Sequence, residues 1–158
     1  MGDGCSTVTV TVANNDFDPN RGHELDLMIA GAYAAIRVGA DGFTVSSFSY
    51  GNRGSTTAHN RGDAMDISAI DGIAVAASPM LGGYLRGYMS NTSVPIGSQI
   101  MAPGYFGYNK VAGAAWRGID MHETDPRPDS PHYGETWGYM HRHHIHVTWG
   151  PGASVPEY

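Results

Sequence analysis

Hydrophobic and polar positions alternate strictly in TVTVTVA (residues 7–13), which predicts a β-strand with one buried face. After the turn cluster NNDFDPNRG the period changes to that of a helix, in HELDLMIAGAYAAIRVG. There Leu25, Met28, Ile29, Ala32 and Ile36 fall on one face, and Gly39 is the expected stop. GFTVSSFSY (42–50) predicts a second strand, GNRGSTT a loop, and AMDISAI (64–70) a third strand. Ser78-Pro79 is an N-cap and first-turn pair for a short helix to about Met89, weakened by Gly82, Gly83 and Gly87. SQIMAP (98–103) is a short strand, and HHIHVTW (143–149) is the last. Between them, 104–140 is rich in Gly, Pro and aromatics without a clear period, and predicts a long functional loop region. No internal repeat or linker interrupts the chain. The pattern is α+β in one domain, 1–158: one long helix on a small, mainly antiparallel sheet, with long loops.

Composition narrows the function classes. Only 15% of the residues are charged, Lys110 is the one lysine, and the net charge is −6. A nucleic-acid or anionic-membrane surface is therefore not expected. A single cysteine, Cys5, excludes an internal disulfide and a multi-thiolate metal site. The start, MGDGCSTVTVTV, has neither a basic nor an apolar signal region, and no run of 18 apolar residues occurs. The expectation is a protein made in a cytoplasm without a signal peptide, with no membrane partner and monomeric.

The chemistry gathers in two places. AHNRGDAMDIS (58–68) holds His59 and Asp66, with Gly62 and Ala64 between them. HRHHIH (141–146) crowds four of the eight histidines into six positions. Strand alternation puts His144 and His146 on one face with Ile145 turned to the core. In AMDIS the same rule puts Ala64, Asp66 and Ser68 on one face and Met65 and Ile67 on the other. If the two strands are neighbours, Asp66 and His146 converge, and His59 on the preceding loop closes a three-ligand set. Gly62 lets that loop turn tightly, and Ala64 leaves room beside Asp66. Two imidazoles, one carboxylate and a water make the ligand set of a catalytic Zn2+ site, suited to amide hydrolysis. His144, two residues before a ligand, is then placed as general base or acid.

The paired motif H-x-x-G-x-A-x-D (His59, Gly62, Ala64, Asp66) and H-x-H (His144, Ile145, His146) resembles the LAS zinc metallopeptidases, named for lysostaphin, D-Ala-D-Ala peptidase and hedgehog. SQIMAPG ahead of HRHHIHVTW is similar to the D-Ala-D-Ala-peptidase-like peptidoglycan peptidases of actinobacteria and their phages. The resemblance implies a hedgehog-like fold, His59, Asp66 and His146 as zinc ligands, and His144 as the catalytic histidine. It also implies peptidoglycan stem peptide as substrate, cut at the L-Ala–D-Glu or a neighbouring bond, and a phage endolysin domain that acts on the bacterial cell wall. The family places an arginine just after the second strand. Here Ser49 stands at the aligned position, and Arg53, still ahead of His59, is the candidate for that role.

His141-Arg142-His143 is a second H-x-H, but Val147, Thr148 and Trp149 continue the strand after 144 and 146, so the latter register is preferred. His141 and His143 are then expected at loop or strand-back positions, with His141→Ala doing little. His23, His122 and His132 are expected at the surface, and Asp63 in solvent. Trp116, Trp137, Tyr133 and Tyr139 divide between core packing and a glycopeptide groove. Two other functions use the same ligand types: a non-catalytic hedgehog-like zinc module, and a 2-His-1-carboxylate Fe(II) oxygenase.

Overall fold

β2 (Gly42–Ser47) and β3 (Ala64–Ile70) form the most densely packed antiparallel pair, and the remaining strands add on either side of it. A computed structural model of the chain describes residues 6–48, 57–104, 106–113 and 116–150. Cys5, Ser49 and Arg53 lie outside these residues.

Beyond β2 lies β1 (Thr9–Val12), paired parallel; beyond β3 come β8 (Ile145–Thr148) and β5 (Gln99–Met101), both antiparallel. Two strands, β6 (Phe106–Asn109) and β7 (Arg117–Asp120), then carry the sheet to its other edge, while β4 (Ile73–Ala74) pairs with β3. The described residues thus form an open mixed sheet of eight strands, mostly antiparallel, with four α-helices. It is larger than the small sheet expected, because the 104–140 segment contributes β6 and β7 instead of remaining loop. Both are only four residues long, too short for the polar–apolar alternation by which a strand is recognised to stand out.

The sheet has two occupied faces. On one, Phe43, Val45, Met65, Ile67, Ile145 and Val147 are buried beneath α1 (Glu24–Val38) and α3 (Leu81–Ser90). On the other, Asp66 and His146 alternate with those core residues, and a second cluster of Met101, Met121, Trp137 and Met140 packs nearby. Met101 is the cross-strand partner of His146, so this second core and the polar site share one face.

α1 ends at Gly39 as expected, in the left-handed conformation (φ 77°), its N–H reaching the carbonyls of Ala35 and Ile36. The buried face differs from the one that the spacing suggested. Leu27, Ala30, Gly31, Ala34 and Ala35 face inward, while Leu25, Ile29 and Ile36 face out. The small residues win because α3 comes so close: a Cβ on Gly87 would stand 3.2 Å from the Ala34 Cα, and one on Gly83 would stand 2.7 Å from the Val38 side chain. The glycines that weaken α3 as an isolated helix are thus what lets it dock. α3 begins at Leu81, after a 3-10 turn at Val75–Ala77, with the Ser78 hydroxyl accepting from the Met80 N–H.

Candidate metal centre

His59 is carried by α2 (Ala58–Arg61), a single helical turn where the sequence suggested only loop. Thr57 caps it by accepting from the Asn60 N–H, and Gly62 closes it in the left-handed region at φ 77°. The tight turn inferred from Gly62 is therefore present. It has a second cause: a Cβ on Gly62 would lie 2.6 Å from the Arg21 carbonyl oxygen, and one on Gly22 would lie 2.2 Å from that of Arg61. Two backbones touch here, and the His23 N–H donates to the Gly62 carbonyl at 2.8 Å. Asp16, in the preceding loop, accepts from the Phe48 N–H at 3.0 Å, and the Phe48 carbonyl lies 3.0 Å from His59 Nδ1. That carbonyl can only accept, so Nδ1 carries the proton and Nε2 presents a lone pair.

Asp66 and His146 are direct cross-strand partners on β3 and β8. His146 Nδ1 is 2.9 Å from Asp66 Oδ1, His59 Nε2 is 3.3 Å from the same oxygen, and the two imidazole nitrogens are 3.2 Å apart. The three side chains are buried, and they are the group able to hold a metal ion among the described residues. Ion–nitrogen distances of about 2.0–2.1 Å in a tetrahedral site imply ligand–ligand edges of about 3.3 Å. The observed triangle has that size, so the residues fit a small divalent cation. They do not discriminate zinc from iron.

Burial sets the electrostatics. Desolvation pushes the Asp66 carboxyl up to about 7, against the opposing influence of His144 and His143, and pushes the His146 imidazole down to about 3. At neutral pH His146 is therefore neutral, and its contact with Asp66 is not an ion pair. A cation at the triangle would stabilise the carboxylate that burial disfavours. A pH dependence follows. Below about 7 the metal must displace a proton from Asp66, so affinity should rise about tenfold per pH unit from pH 5 to pH 7, then level off. Chelator-competition titrations at stepped pH measure this, and a flat profile below pH 7 would contradict it.

His144 immediately precedes β8, with Nε2 3.7 Å from Asp66 Oδ1 and Nδ1 2.9 Å from His143 Nδ1. It is only partly buried, unlike the three residues of the triangle. Burial, opposed by Asp66, holds its pKa at about 3. His143 beside it is exposed.

His141 departs from expectation. It lies at the end of α4 (Trp137–Met140), with no solvent exposure, its ring 5.0 Å from that of His144 and 5.5 Å from that of His146. Nδ1 donates to the Trp137 carbonyl at 2.7 Å, so Nε2 presents a buried lone pair, with no hydrogen-bond partner among the described residues. Burial first, then the neighbouring His146, lowers its pKa to about 3. Sequence reasoning missed it because α4 is one turn long. The available signal was Thr136 as a cap for a helical turn that would swing His141 back toward the strand.

The remaining histidines stand apart from the centre. His23 and His122 are exposed and His132 is half-buried against Glu135. Trp137 is core and Trp116 packs against the main core, whereas Tyr133 and Tyr139 are exposed. Asp63 is partly exposed and pairs with Arg61. No helix among the described residues is long and apolar enough to cross a membrane.

Gly62 and Gly39 share φ 77°, which permits a controlled comparison. Gly39→Ala has nothing within 4 Å of its new Cβ and should cost about 1 kcal/mol, the left-handed penalty alone. Gly62→Ala must also displace the Arg21 backbone, and should cost about 2–4 kcal/mol and weaken metal binding about 10–100-fold. Thermal unfolding and metal titration check this; equal costs at the two sites would mean that the Arg21 contact is unimportant.

Comparison with protein-family models, with curated proteins and with solved structures returned no match.

Proposed function

We propose that this protein is a zinc-dependent peptidase that hydrolyses an amide bond in the stem peptide of peptidoglycan, at the L-Ala–D-Glu or a neighbouring bond, as the lytic domain of an endolysin. The observation that carries the reading is the buried His59–Asp66–His146 triangle with two further histidines beside it, the partly buried His144 at 3.7 Å from Asp66 and the fully buried His141 with its ring 5.5 Å from that of His146. The hedgehog-like fold and the phage context rest on the motif resemblance.

When bound, zinc lowers the pKa of a bound water toward neutrality and polarises the scissile carbonyl. His59 Nε2, Asp66 Oδ1 and His146 Nδ1 would hold the ion. His144, neutral at working pH, would take at Nε2 the proton that the attacking water loses and give it to the leaving amine. His141 positions the His144 ring and is kept neutral by burial, so it does not compete as a charged group. In the family pattern an arginine steadies the substrate, and Arg53 is our candidate for it.

A purely structural zinc module needs no further histidine beside its ligands, and the proximity of His144 to Asp66 favours the catalytic alternative. An Fe(II) oxygenase uses the same donor set. Turbidity loss of a wall suspension decides among the three: chelated protein should be inactive, zinc should restore it, and iron should not require oxygen to do so. No wall loss with zinc-loaded protein would contradict the proposal.

A further inference from the structure

The outward face of α1 carries Leu25, Ile29, Tyr33 and Ile36, with exposures of 44%, 58%, 37% and 48%. They recur at helical spacing and form one stripe, directly opposite the Ala/Gly face that docks on the sheet. Single exposed apolar residues are ordinary; a continuous stripe of four large ones marks a contact surface. The charges along it are arranged for self-pairing. Asp26 follows Leu25 by one residue and Arg37 follows Ile36 by one residue, so both stand on the same flank of the stripe, at opposite ends. Their present partners are local and exposed: Asp26 touches His23 at 2.9 Å, and Arg37 lies 5.8 Å from the Tyr33 ring centroid.

We propose that α1 is a homodimer interface in which two copies pair antiparallel through this stripe. When two helices run antiparallel, like flanks face each other, so Asp26 of each copy meets Arg37 of the other, and Leu25 meets Ile36. A parallel pair would set Asp26 against the opposite flank and lose both ion pairs. The candidate metal centre lies on the other face of the sheet, so dimerisation leaves the two centres directed away from each other. If the function proposed above holds, two centres on one polymeric wall gain avidity; the interface itself does not depend on that reading.

One stripe is smaller than a standard interface, so a weak, micromolar dimer is expected. Sedimentation equilibrium of the full chain from about 1 µM to about 200 µM should show the mean mass rising toward that of two chains. Ile29→Asp, at an exposed position, should keep its circular dichroism and stay monomeric throughout. Asp26→Arg and Arg37→Asp should each weaken association about tenfold, and the double variant should restore it. A monomer at every concentration, or a dimer indifferent to Ile29→Asp, overturns the proposal. A dimer lost in Ile29→Asp but not rescued by the double charge exchange overturns the antiparallel arrangement.

Discussion

His144→Ala should retain its metal and its fold while losing peptidoglycan cleavage by about 10²–10⁴-fold. Its Nε2 stands 3.7 Å from Asp66 Oδ1, close to the ligands yet outside the triangle of 2.9–3.3 Å contacts. Removing it deletes a proton carrier without deleting a ligand. His141→Ala should also lower turnover, through a different cause: an imidazole buried against His144 is replaced by a cavity, and the ring it supports is free to turn. An active His144→Ala variant, or one that has lost its zinc, would contradict His144 as a proton carrier outside the ligand set.

Asp66→Ala and His146→Ala should each empty the site, with zinc affinity falling by several orders of magnitude and turnover with it. Each supplies one of three protein ligands from a direct cross-strand pair. Adding zinc should raise the unfolding temperature of the wild type and leave both variants unmoved, since only a bound ion favours the folded state. Zinc-dependent stabilisation of Asp66→Ala would show that the ligands lie elsewhere.

The centre was readable because strands obey a period of two. Asp66 and His146 each sit between buried apolar neighbours, Met65 and Ile67 or Ile145 and Val147, so their common face followed from alternation once the strands were paired. Their placement as direct partners depends on tertiary pairing, which spacing alone does not specify. α1 was harder. Its large apolar residues and its small ones lie on opposite faces, and the close approach of Gly83 and Gly87 on α3 selects the small face for burial. Hydrophobic spacing does not encode how near a neighbouring helix will come. His141 was hidden by the brevity of α4, and β6 and β7 by their own.

The measurement that tests the central claim most directly is mass spectrometry of the soluble fragments released from purified peptidoglycan by the zinc-loaded protein, with the chelated protein alongside. The account predicts stem-peptide fragments bearing a new amino terminus at one defined bond, formed only with zinc and not by His144→Ala. Intact stem peptides, or cleavage confined to the glycan strand, would contradict it.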